Sequence, residues 1–75
     1  MKLIEICWVD STSNGDHWID KEIAINQVSR PIKSAGYLLY KDKEKITIVQ
    51  GYGDNDTVIN VLTIPMGCVK DIKRF

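Results

Sequence analysis

The chain predicts a mainly β fold with one short α-helix: a small five-stranded antiparallel barrel or bent sheet, the helix inserted between strands 1 and 2. Three observations carry this. Residues 36–64 contain three apolar, β-rich runs separated by tight polar turns. A Pro65-Met66-Gly67 corner then precedes one more apolar run. The N-terminal stretch KLIEICWVD supplies another strand pattern, rich in Ile, Val and Trp and bounded by polar residues. Short strands punctuated this often by turn chemistry form meanders that must bend to bury a core.

The first strand is residues 2–10. Ile4, Ile6 and Trp8 share one face, and Leu3, Cys7 and Val9 share the other with Glu5. A strand apolar on both sides is central or covered by another element. Residues 11–16, STSNGD, form a loop, with Asn14-Gly15 as its turn dipeptide because both residues tolerate positive φ. Residues 20–29 read as a short helix. Asp20 is placed to cap it, Ile19 and Ala24 stand at staple spacing, and Glu22 falls in the first turn. Ile23, Ala24 and Val28 can share a face, with Ile25 off it. Arg30-Pro31 closes that segment, since the residue before Pro avoids helical angles. So short a helix needs support, and the sheet it would cover is the expected source.

The second strand is residues 36–41 and the third 45–52, joined by the polar turn Asp42-Lys43-Glu44. Residues 53–56, GDND, make the next hairpin, and 57–64 the fourth strand. Pro65 cannot donate to a ladder, so 65–67 is a corner. In 68–75, Val69, Ile72 and Phe75 recur every third residue, a spacing that suits a helix or a strand carrying a bulge. The strand is preferred, because the Pro-Gly corner resembles a barrel corner.

Seventy-five residues make one domain, and a domain this small buries a modest share of its surface, which favours self-association. Ten basic and ten acidic residues cancel, which argues against a dedicated duplex-binding domain. Two cysteines, Cys7 and Cys68, are too few for a disulfide scaffold and fit a reducing compartment. No run approaches the roughly 18 apolar residues of a membrane span, and MKLIEICWVD is too short and too interrupted for a signal peptide. The expected location is therefore the cytoplasm, with no membrane partner.

Motifs that invite chemistry have plainer readings. His17, the single histidine, sits among Asp10, Asp16 and Asp20, but zinc sites take three or four ligands at set spacings, so no metal is expected. Gly51-Tyr52-Gly53 precedes a strand, not the helix a phosphate loop requires. Asp54-Asn55-Asp56 lacks the glycine and terminal Glu of a calcium loop. Cys7 and Cys68 read as packed thiols, or as a disulfide if the first and last strands are neighbours. No acid–base or nucleophile set is present, so neither catalytic residues nor a cofactor are expected. What remains are aromatics and one basic group. Trp8 reads as core. Trp18, beside a polar loop, reads either as core or as an exposed anchor that, with Tyr37, Tyr40 or Tyr52, would hold a partner or stack on a base. Lys70, Lys73 and Arg74 would touch phosphate or acidic surface, or guard an edge strand.

The order strand, strand, strand, one-turn corner, strand resembles small barrels of the Src-homology-3-like and Sm-like classes, chiefly through Ile64-Pro65-Met66-Gly67-Cys68-Val69. That resemblance implies that the first and last strands lie side by side. The helix between the first two strands departs from the one class, and the absence of a leading helix from the other. The whole chain is also similar to small uncharacterised proteins encoded by bacteriophages and prophages, through Trp8-Val9-Asp10-Ser11, Trp18, Gly36-Tyr37-Leu38, the 46–50 strand and Ile64-Pro65-Met66-Gly67 with Val69 and Ile72. This implies a phage or prophage origin and a bacterial host cytoplasm, and no activity. The expected function is a non-enzymatic binding module engaging a host or phage protein. The alternative is an Sm-like homo-oligomer that binds RNA or a nucleotide, such as a sequestered host defence signal.

Overall fold

A computed structural model describes residues 1–11 and 18–75. The expected loop turn at Asn14-Gly15 and the single histidine, His17, lie outside the described residues. Five strands form one antiparallel sheet: β1 (Leu3–Asp10), β2 (Arg30–Lys41), β3 (Lys45–Gly53), β4 (Thr57–Pro65) and β5 (Val69–Arg74). A five-residue helix, α1 (Lys21–Ile25), lies between β1 and β2, and a 3-10 turn, Met66–Cys68, lies between β4 and β5. The spatial order is β4-β3-β2-β1-β5.

That order sets a geometric condition. β4 and β5 are the two opposite edges of the sheet, yet three residues join them. Across a flat sheet the edges would stand about 19 Å apart, at roughly 4.8 Å per strand spacing. The chain from Pro65 to Val69 spans at most about 14 Å even fully extended, and a 3-10 turn rises only about 2 Å per residue. The sheet must therefore curl, and the Met66 N–H, donating to Glu44 O at 2.8 Å, ties the corner to the β2–β3 hairpin. β4 and β5 are not paired with each other, so the curl stops short of a closed barrel.

Curling gives one face of the sheet an inside. Ile4 and Ile6 from β1, Ile46 and Ile48 from β3 and Ile64 from β4 are buried there as one cluster. Trp8, Leu38, Leu62, Met66, Cys68, Val69 and Ile72 pack around it. Trp8 keeps its indole N–H satisfied by donating to Ser34 Oγ at 3.0 Å. The registers account for the choice of residues: Ile6 stands opposite Ile72, Ile46 opposite Ile64, and Ile48 opposite both Leu38 and Leu62. On the other face Val49 is also buried, in register with Tyr37 and Val61. Beside it the Thr47 and Thr63 hydroxyls lie 2.9 Å apart.

β2 begins at Arg30, six residues before the expected start at Gly36. Its first part pairs with β1 (Arg30↔Asp10 to Tyr37↔Leu3) and its last with β3 (Tyr37↔Val49 to Lys41↔Ile46). Pro31 is tolerated inside this strand because the segment carrying it has a neighbour on one side only. The handover falls at Gly36-Tyr37, where the β3 backbone comes close: a Cβ at Gly36 would stand 2.8 Å from Val49 O and 3.3 Å from the Ile48 side chain. Glycine at 36 is thus the condition for the two halves of the sheet to fold toward each other.

The C-terminal segment is a strand. Its every-third-residue spacing comes from a register shift against β1: Cys7 faces Asp71 and Trp8 faces Val69, so Lys70 is the extra residue. Phe75 lies past the strand and is exposed. The Asp54-Asn55-Asp56 turn closes the β3–β4 hairpin with positive φ at Asn55 (63°) and Asp56 (57°), as a tight primed turn needs.

The helix departs from expectation. It spans five residues, not ten, the Asp20 side chain makes no capping hydrogen bond, and none of its residues is buried. It does not cover the first strand. Pairing of β2 with β1 from Arg30 onward leaves 27–29 to lead out of the helix, and Ile23, Ile25 and Asn26 favour helix only weakly.

Replacing Gly36 with Ala is expected to cost about 1–3 kcal/mol in urea unfolding, the usual penalty for an overpacked site. Gly67→Ala, where a Cβ meets nothing within 4 Å, is the control and should change stability little. Ile46→Ala should cost about 2–5 kcal/mol, out of the roughly 4–11 kcal/mol that a domain of this length holds.

Candidate functional site

The sequence-predicted site residues fall in four places. Lys70, Lys73 and Arg74 are exposed on β5, at one edge of the sheet. Asp71 lies between them, and Lys73 stands in register with Glu5 of β1, so acids are interleaved with the bases. Tyr40 is exposed at the β2–β3 hairpin. Its hydroxyl donates to Asp42 Oδ2 at 2.9 Å, and Lys45 Nζ lies 5.5 Å from its ring centroid. Tyr37 and Tyr52 meet edge to face, with centroids 5.0 Å apart and planes at 86°, a favourable aromatic geometry. Trp18 belongs to none of these groups. It leads into α1 and lines a shallow depression with Ile19, Asp20 and Ile23.

Of the expected aromatic cluster, then, only Tyr37 and Tyr52 come together. Tyr52 also borders two shallow surface depressions, one with Gly51, Gly53 and Thr57 to Ile59, the other with Met1, Leu39 and Val58.

The β2–β3 tip holds a compact hydrogen-bond set with a structural purpose. Asp42 Oδ1 accepts the Glu44 N–H at 2.8 Å and the Lys45 N–H at 2.9 Å, while the Asp42 N–H donates to Lys45 O at 3.0 Å. These backbone donors, with the Tyr40 hydroxyl, hold the Asp42 carboxyl below its usual range. The same contact to the carboxylate pushes the Tyr40 phenol up. The turn's own amides account for the shift, so it marks a side-chain-capped turn.

Trp18 resolves the alternative left open by the sequence: it is fully exposed. It is joined on the same segment by Ile19, Ile23 (56% exposed) and Ile25 (80%). The face expected to pack on the sheet, Ile23 with Ala24 and Val28, is exposed at Ile23 and Val28 as well, and periodicity gives no sign of what lies beneath a face. A second surface it missed is the outer edge of β4, where Val58, Ile59 and Val61 are exposed. The available signal was the absence of any charge from Thr57 to Pro65.

Cys7 and Cys68 are free, half-buried thiols. Among the described residues no group of three or more His, Cys, Asp or Glu is placed to hold a metal ion, and no helix is long and apolar enough to cross a membrane. The fold and surface define a small, open, curled β-sheet with an uncovered apolar arm. No protein family, curated protein or solved structure was found to match the chain.

Asp42→Ala should lower the melting temperature at neutral pH by removing the acceptor for two turn amides. Because folding depresses this carboxyl, its ionisation stabilises the fold above the ordinary carboxylate pKa, and that contribution is lost as pH falls through the lowered value. The gap in melting temperature between wild type and Asp42→Ala should therefore close in acid. A scan from pH 7 to pH 2 measures it.

Proposed function

We propose that the chain is a non-enzymatic binding module of phage or prophage origin that engages a host or phage protein through the arm from Trp18 to Ile25. The observation that carries this is Trp18, fully exposed and flanked by exposed Ile19, Ile23 and Ile25 on a helix with no buried residue. Trp18 buries nothing in this fold, and Ile19, Ile23 and Ile25 remain 40%, 56% and 80% exposed. Tryptophan is the residue type most enriched among binding hot spots, and aliphatic neighbours that exclude water complete such an anchor. Phage origin and action in the bacterial cytoplasm rest on the end-to-end resemblance. Among the described residues, the non-enzymatic reading is supported by the perturbed Asp42–Tyr40 pair belonging to its own hairpin turn.

The alternative, an RNA or nucleotide binder, draws less support. Its basic residues, Lys70, Lys73 and Arg74, sit on β5 amid Asp71 and Glu5, while the paired tyrosines, Tyr37 and Tyr52, are on β2 and β3.

Immobilised wild type and Trp18→Ala are compared for capture from bacterial lysates with and without phage infection. Trp18 is fully exposed, so its loss should move stability by no more than about 0.5 kcal/mol. Loss of a hot-spot anchor should weaken binding of the captured protein by about 2 kcal/mol or more, roughly 30-fold. Equal capture by both forms contradicts the reading, and co-purification of nucleotide or RNA in place of a protein favours the alternative.

A further inference from the structure

The two edges of this sheet are built differently. β5 is six residues long and four of them, Lys70, Asp71, Lys73 and Arg74, are charged, the usual protection against stray strand pairing. β4 is nine residues long and has no ionisable side chain from Thr57 to Pro65. It is the terminal strand, so along its outer side a row of backbone donors and acceptors has no partner strand among the described residues. Val58, Ile59 (61% exposed) and Val61 (56%) add apolar surface there. A long, uncharged, apolar edge is a template for another strand.

We infer that β4 is the seam of a two-fold homodimer, in which the β4 strands of two copies pair antiparallel and join the two sheets into one. Two features favour a second copy as the partner. In a two-fold interface each residue meets residues of its own strand, and β4 meets itself without facing any charge. β5 against β5 would oppose lysines and arginine, and β4 against β5 would lay four charged residues along an apolar row. The second feature is Asn60, whose φ of 54° puts a left-handed kink in mid-strand. β3 pairs on both sides of it in one register, Val49 with Val61 and Gly51 with Ile59, so β4 stays a continuous strand through the kink. A second β4 carries the same kink, and with Asn60 on the two-fold axis the kinks coincide. This register sets Ile59 of each copy against Val61 of the other, the most exposed apolar residues of the strand, and Val58 against Leu62.

The test is a charge-swap series read by sedimentation equilibrium. Wild type should have twice the 8.5 kDa chain mass. The double variants Ile59→Lys/Val61→Lys and Ile59→Glu/Val61→Glu should each be monomeric, since like charges then face across the seam. Both residues are exposed in the single chain, so circular dichroism should show both variants folded. Mixed in equal amounts, the two should recover the dimer mass, because Lys then meets Glu at every swapped position. A monomeric wild type at millimolar concentration, an assembly larger than two, a dimer that persists in either charged variant, or a mixture that stays monomeric overturns the inference.

Discussion

The structure rests on one covalent constraint: the two edges of a five-stranded sheet are joined by a three-residue turn. Edges about 19 Å apart in a flat sheet cannot be spanned by Met66–Cys68, so the sheet has to curl. Curling creates a concave face, and the concave face is the core. Ile4, Ile6, Ile46, Ile48 and Ile64 come from three strands and meet because the corner draws β4 back toward β1. β-branched residues suit this geometry, having few rotamers to lose and filling a pleated surface well. Gly36 meets the same requirement at the backbone level, letting β3 cross close to β2 where β2 passes from one neighbour to the other.

The buried core takes its residues from β1, β3 and β4, with the 3-10 turn packed against it, and none from α1. α1 buries none of its residues, and the interior of the sheet does not depend on it. Its apolar side chains therefore remain in water, as do those of β4 on the outer side of the last ladder. Uncovered apolar surface in a small domain marks places where other molecules dock. Here two uncovered apolar surfaces differ in character. One is the tryptophan and isoleucine side chains of the arm. The other is a strand edge whose outer backbone donors and acceptors have no partner strand among the described residues.

Much of the fold was legible because local chemistry and global geometry agree. Asp42 sits where a side chain must cap a tight turn, Asn55 and Asp56 where φ must be positive, and Pro65 where a ladder must stop. The three-residue spacing of Val69 and Ile72 was readable as a bulge. The arm was misread for a physical reason. Ile23 and Val28 look like a packing face, and sequence periodicity reports that a face is apolar, not what lies against it. The start of β2 is late in the sequence reading because Arg30-Pro31 reads as the end of the helix, and only the pairing order shows that a strand with a single neighbour begins there. Of the candidate site, the aromatic types were visible but their grouping was not: Tyr37 and Tyr52 meet from neighbouring strands β2 and β3, whereas Trp18 lies on the arm and Tyr40 is bound to its own turn.

The central claim is that the cooperative core lies wholly within the curled sheet and that the arm stands outside it. Native-state hydrogen exchange on the isolated protein tests this residue by residue. Amides of β1 and β3 around Ile4, Ile6, Ile46 and Ile48 should exchange only by global unfolding. The Ala24 and Asn26 amides, whose acceptors Asp20 O and Glu22 O belong to the arm itself, should exchange through local opening, orders of magnitude faster. Ala24 and Asn26 protected to the level of β1 and β3 would contradict the account.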